Sequence, residues 1–236
     1  VSGTARYTLL VPLVGPMQSW GSRSRFDDRD THLEPTRSGI IGLLCAALGV
    51  GRGEPLDRFD ALRVAVRVDA PGRVMTDYQT AQEVIKADGS GTTAVQSRRH
   101  YLAGARFLVA LESDDRALLE EIRAALRAPV WMLSLGRKSF PLAAPPYLPG
   151  EWGDVRPGSA EEVLRRAPWY RLHRRERRRP DRLRLVLEDP AGESALSDLP
   201  LDFGRRRFGL RRVTSLELRD DALPPMEDHP CCTFPD

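Results

Sequence analysis

Gln96-Ser-Arg-Arg-His-Tyr101 gathers two arginines, an imidazole and a phenol into one short stretch. An imidazole titrates near neutrality, so His100 could move a proton at a ribose 2′-hydroxyl while Tyr101 or an arginine stabilises the developing charge. Two other readings stand beside that one: Arg98 and Arg99, with His100 between them and the next strand position, contact RNA, or the stretch is a solvated strand end with Tyr101 packed inward. Three further stretches suit an anion. Gly15-Pro-Met-Gln-Ser-Trp-Gly21 places glycines around Gln18, Ser19 and Trp20, with Arg23 and Arg25 following. Glycine lets a backbone pass close to a ligand, and a tryptophan either stacks on a base or pins its loop to the core. In Pro35-Thr-Arg-Ser-Gly39, Ser38 is the predicted N-cap of a helix beginning at Gly39 or Ile40, whose free N–H groups would receive a phosphate beside Arg37. Leu135-Gly-Arg-Lys-Ser139 adds Arg137, Lys138 and Ser139, without the spacing of a phosphate-binding Walker loop.

The elements that must position these residues are legible from periodicity. Tyr7 to Val14 is an extended apolar run, and Ile40 to Leu48 is a short apolar helix closed by Gly49. Leu62 to Asp69 alternates apolar residues with Arg63, Ala65, Arg67 and Asp69, which predicts a strand with one buried face. Ala105 to Leu111 alternates likewise. A helix is expected from Asp114, with Leu118, Ile122 and Ala125 on one side and Pro129 ending it, and its acids lead while its arginines trail. Val130 to Leu135 reads as a buried strand. The resulting order β, α, β, insertion, β, α, β is the split βαβ, ferredoxin-like pattern, an α+β fold. The insertion spans about Gly72 to Ala103 with Asp88-Gly-Ser-Gly91 at its tip; excursions of that length are usually functional or disordered. Strands are expected at Arg182 to Leu187 and Phe208 to Leu218, as an extension of the sheet rather than a second unit. The expected division is therefore a domain over residues 1–148 and a C-terminal β-rich extension over 149–236.

Composition narrows the classes. At 236 residues with 41% apolar content the chain can bury a core. No stretch approaches the roughly 18 apolar residues of a membrane span, so a cytoplasmic protein is expected. Cys45, Cys231 and Cys232 form no disulfide framework, and His229 beside the last two falls short of a four-ligand zinc site; no metal or cofactor is implied. The net charge is only +3, yet Lys86 and Lys138 are the sole lysines, so arginine carries the positive charge. Arginine's planar fork suits phosphate recognition. Six arginines fall in residues 171–179 and five in 205–212, a field for any polyanion or else ordinary surface. The RRM stacking signature is absent from Arg106 to Leu111, which turns the expectation from base stacking on the sheet to backbone recognition by loops.

Taken in order, Gly15-Pro-Met-Gln-Ser-Trp-Gly21, Pro35-Thr-Arg-Ser-Gly-Ile-Ile-Gly42, Asp77-Tyr-Gln-Thr80, Arg99-His-Tyr-Leu102 and Leu135-Gly-Arg-Lys-Ser139 resemble the CRISPR-associated Cas-five family in its CasD branch, over about Arg6 to Leu148. The resemblance implies an RNA-recognition-like, ferredoxin-type (RAMP) domain with a protruding thumb matched to the insertion. It implies a subunit of the Cascade surveillance complex that holds the 5′ handle of the CRISPR RNA (crRNA). The implied partners are the CasC backbone row, which the subunit caps, the large CasA subunit, and target DNA through the assembled complex. Sequence discrimination would then come from base pairing with the guide. Relatives in another subtype cleave repeat RNA without metal through a tyrosine, lysine and histidine set. This chain has His100 and Tyr101 but Arg99 where a lysine would help, and arginine stays protonated. A non-catalytic scaffold is therefore expected, with a metal-independent endoribonuclease and a protein-only assembly adaptor as alternatives.

Overall fold

The computed structural model describes residues 5–22, 28–172, 176 and 178–229. In chain order its elements are β1 (Tyr7–Val14), β2 (Met17–Gln18), β3 (Asp28–Arg29), α1 (Arg37–Leu48), β4 (Arg63–Ala70), β5 (Arg73–Ile85), β6 (Thr92–Ala103), β7 (Arg106–Ser113), α2 (Arg116–Arg127), β8 (Arg156–Pro157), α3 (Ala160–Arg166), β9 (Trp169–Arg171), β10 (Arg182–Glu188), β11 (Ser194–Asp202), β12 (Arg207–Arg219) and β13 (Met226–Asp228). The protein is mixed α and β, with mostly antiparallel sheets. A seven-stranded sheet in the order β11-β12-β10-β4-β7-β1-β8 organises the molecule. Every pairing within it is antiparallel. The short β9 and β13 pair parallel beside it.

Both faces of the central strands are buried, and alternation along each strand divides them between two cores. Leu9, Val11 and Leu13 of β1, with Val64, Val66 and Val68 of β4, meet α1 and α2 on one face. Leu10 of β1, Ala65 of β4 and Leu108 of β7 meet α3, Trp169 and Leu185 on the other. This corrects the expectation of a one-faced strand over Leu62 to Asp69. Arg67 is fully buried on that second face. Its guanidinium pairs with Asp69 at 2.6 Å and donates to the carbonyls of Leu164, Ala167 and Pro168. A buried cation is costly unless its N–H groups find acceptors, and here the carbonyls at the end of α3 and just beyond it supply them together with Asp69.

The expected strand at Val130 to Leu135 is also corrected. Val130 and Trp131 donate their N–H groups to the Ala47 and Ala46 carbonyls that end α1, both at 3.0 Å. These amides are therefore committed to a helix end, and Val130, Trp131 and Met132 are exposed. The strand that flanks β1 on its far side is β8, two residues long.

A third correction concerns α1, which begins at Arg37 with Thr36 as its cap; the Thr36 hydroxyl accepts from Gly39 N–H. Ser38 is inside the helix. Gly49 closes it in the left-handed conformation, φ 76°, as glycine permits. The segment between β4 and β7 is the hairpin β5/β6, paired from Arg73↔Ala103 to Ile85↔Thr92. Most of its residues are exposed. Its base is stitched to the glycine loop, because β2 pairs with β6 at Ala103 and Leu102, and β3 at Arg98 and Arg99.

Candidate nucleic-acid interface

Three loops far apart in the chain meet along one face of α1. The Ser19 N–H donates to the Leu135 carbonyl at 3.0 Å, joining the first glycine loop to the turn at Gly136. That turn leaves no room for a side chain: a Cβ on Gly136, whose φ is +90°, would lie 1.7 Å from the Ser19 carbonyl oxygen. Small residues on α1 keep the space beside the junction open. Ser38, Gly39, Gly42 and Ala46 form one wall of a cleft of about 690 Å³. Ser19, Trp20 and Gly21 line it from the first loop, and Gly136, Arg137 and Lys138 from the second. The β11/β12 hairpin closes the far end with Phe203 and Arg206 of its turn and Phe208 of β12.

Arg29, Arg52, Arg137, Lys138 and Arg206 reach the cleft, and its described lining contains no aspartate or glutamate. Arg137 is half-buried and donates to the carbonyls of His100 at 2.9 Å and Arg29 at 3.2 Å. Burial, then the like charges of Arg99 and Arg29, push its guanidinium below the ordinary arginine range. It remains protonated. Mutual repulsion of this kind is relieved by a bound anion, and Asp30 and Asp77 already offset part of it. The thiol of Cys45 in the α1 wall is pushed up to about 11, chiefly by burial, which leaves it inert as a nucleophile.

Residues 8–214 match the family model described as CRISPR-associated protein (Cas_Cas5). The chain belongs to this Cas5 family. It is 36% identical over 159 residues to the CRISPR system Cascade subunit CasD of Escherichia coli (strain K12), a match spanning 61% of this chain and 70% of that relative. A solved structure titled as that of a Cas protein is 40% identical and superposes with a TM-score of 0.75, covering 92% of this chain and 98% of its own. A chain from a structure titled CRISPR RNA-guided surveillance complex is 33% identical, with a TM-score of 0.76 and 92% of each chain covered.

In this Cas5 chain several residues singled out for ligand contact are instead spent on the fold. Gln18 is fully buried; its amide donates to the carbonyls of Ala105 at 2.8 Å and Leu13 at 3.2 Å and accepts from the Trp20 indole. Trp20 is 1% exposed, its ring against Gly39. The Ser19 hydroxyl donates to the His100 carbonyl. Arg37 is buried, bonded to both oxygens of Glu188 at 2.9 and 2.8 Å and to the carbonyls of Leu62 and Phe59. Its N–H donates to Asp198, whose carboxylate occupies the end of α1 predicted to receive a phosphate. Gln18, Trp20 and Arg37 are therefore buried supports of the fold in this structure, with Trp20 also bordering the cleft. Ser38 and Gly39 keep faces on the cleft.

On the hairpin, Arg98 and Arg99 are exposed. The His100 ring lies 2.9 Å from the Thr76 hydroxyl and 3.4 Å from Asp28. Tyr101 packs on Phe140, ring centroids 5.7 Å apart. Successive strand residues face opposite sides, so His100 and Tyr101 do not converge on one reacting atom. Lys138 and Ser139 are exposed, while Arg23 and Arg25 lie outside the described residues. Sequence reasoning missed Arg29, Arg52, Trp131, Met132 and the aromatic pair Phe203 and Phe208. The run at 205–212 was the one signal pointing to the last of these. Among the described residues no cluster of histidine, cysteine and carboxylate could hold a metal, and no helix is long and apolar enough to cross a membrane.

Proposed function

We propose that this chain is a non-catalytic, RNA-binding subunit of a Cascade-type surveillance complex, holding the 5′ handle of the crRNA and capping the CasC-type backbone row. The same assembly would bring it against the CasA-type large subunit and, through the guide, target DNA. The single observation that carries the reading is the cleft, lined by no aspartate or glutamate among the described residues, at which the Ser19–Gly21 loop, the Ser38–Ala46 face of α1 and the Gly136–Lys138 turn meet. A glycine-lined, cationic concavity suits a polyanion's backbone. Family membership and the match to CasD support the partners. The neighbouring order β8-β1-β7-β4, with α1 between β1 and β4 and α2 between β7 and β8, supports a ferredoxin-like, RAMP-type domain. The β5/β6 hairpin then corresponds to the thumb. The contacts are assigned to Ser38, Gly39, Arg137, Lys138 and Ser139, with Arg98, Arg99 and His100 flanking them.

Handle RNA taken from the repeat and a scrambled RNA of equal length, titrated at moderate salt, test this. The handle is expected to bind more tightly, and equal affinities would reduce the cleft to nonspecific polyanion attraction. Repeat RNA incubated with excess protein in EDTA is expected to stay intact; cleavage abolished by His100→Ala would establish the endoribonuclease instead.

A further inference from the structure

The far half of the cleft carries chemistry that phosphate binding does not call for. Trp131 and Met132 are 47% and 71% exposed on one wall, and Phe208 is 37% exposed on the other. The main chain beneath Trp131 is fixed by the two hydrogen bonds from Val130 and Trp131 to the end of α1. The indole is thus presented by a rigid base. Across the cleft, Phe208 meets Phe203 edge-on, centroids 6.4 Å apart, and Phe203 closes over Gly42. Arg52 and Arg206 flank the aromatic rings.

Exposed aromatic rings beside Arg52 and Arg206, which pair with no carboxylate among the described residues, fit a ligand that combines a flat apolar face with negative charge. A nucleotide has both. The whole cleft, about 690 Å³, lies within the roughly 300–1,000 Å³ of pockets that enclose small organic ligands. These rings line a concave space continuous with the cationic Gly136–Lys138 turn, where charge complementarity favours a polyanion.

We infer that the far half of the cleft is a nucleobase-stacking subsite, in which Trp131 and Phe208 hold unstacked bases of a single-stranded RNA whose backbone is held by Arg137 and Lys138. The inference rests on the RNA-binding reading above. It adds base contacts to a surface otherwise read as recognising only backbone.

The test measures affinity of the full chain for repeat-derived handle RNA, intact and with a single abasic residue walked along it, in wild type, Trp131→Ala, Trp131→Phe and Phe208→Leu. Stacking predicts about tenfold weaker binding by Trp131→Ala, recovery by Trp131→Phe, and loss in Phe208→Leu, which keeps apolar bulk without a π face. One abasic position should cost wild type about tenfold and cost Trp131→Ala nothing more. Abasic RNAs that bind wild type as well as intact RNA would overturn the subsite and leave the RNA-binding reading standing. Unchanged RNA affinity in Trp131→Ala, with loss of a co-purifying protein subunit, would reassign the patch to protein docking. Wild type that fails to prefer handle to scrambled RNA would remove the RNA-binding reading, and the subsite with it.

Discussion

At the scale of single residues, arginine has two opposite uses in this chain, and burial separates them. Arg37 and Arg67 are 4% and 0% exposed and spend their guanidinium groups on carboxylates and carbonyls. Arg137 keeps part of its fork free beside other cations. The two kinds should respond differently to truncation. Arg37→Ala leaves the half-buried Glu188 with only Arg211 and the Val64 N–H as partners, at a cost of about 3 kcal/mol, seen as a lower urea midpoint with an unchanged denaturant slope. Arg137→Ala should cost about 1 kcal/mol of stability, since its partners are carbonyls near the surface. Its RNA affinity should fall by about 2 kcal/mol, the scale of a charge-assisted hydrogen bond. A loss of RNA affinity in Arg37→Ala with stability intact would contradict its assignment as a support.

At the scale of elements, the junction of the two glycine loops decides whether a cleft exists. Gly136→Ala would force a Cβ onto the Ser19 carbonyl at a φ that disfavours side chains. The thermal midpoint should drop sharply, and the Ser19 amide should lose hydrogen-exchange protection as its bond to Leu135 opens. Gly89→Ala at the hairpin tip makes the control: its φ is also positive, +71°, but nothing lies within 4 Å, so about 1 kcal/mol is expected. Elements with a strong period were legible in the sequence: β1, β4, β7 and α2 appear near their expected places. The run Val130 to Leu135 misled because an apolar stretch of that length fits a buried strand, and only the folded chain shows its first amides capping α1. Thr36 and Ser38 are both good caps two positions apart, so sequence alone could not choose between them. Gln18 and Arg37 looked available because their acceptors, Ala105 and Glu188, are contributed by the turn before β7 and by β10, remote in the chain. The far wall of the cleft was illegible for the same reason, since Phe203 and Phe208 come from a hairpin remote in sequence from α1.

At the scale of the whole molecule, charge is plentiful but mostly spoken for. Arg106 pairs with Glu176, Arg123 with Asp154, Arg171 with Asp228, Arg184 with Glu34 and Arg211 with Asp198. These pairs absorb part of both arginine-rich runs, and their partners come from the 33 acidic residues that, set against 36 basic ones, leave a net charge of only +3. Among the described residues, the cations lining the cleft share it with no aspartate or glutamate, and Asp30 and Asp77 offset the charge of Arg137 only in part, so positive charge is concentrated where the loops meet. Counterion release then gives a quantitative expectation. The logarithm of RNA affinity should fall linearly with the logarithm of salt concentration, and each phosphate contact on a single strand contributes about 0.7 to the slope. Arg137→Ala and Lys138→Ala should each flatten the slope by about 0.7. Arg123→Ala removes the same formal charge from a guanidinium already paired on α2, and should leave the slope as in wild type. Equal flattening by all three would mean that RNA responds to net charge alone, and that the cleft has no privileged share in holding it.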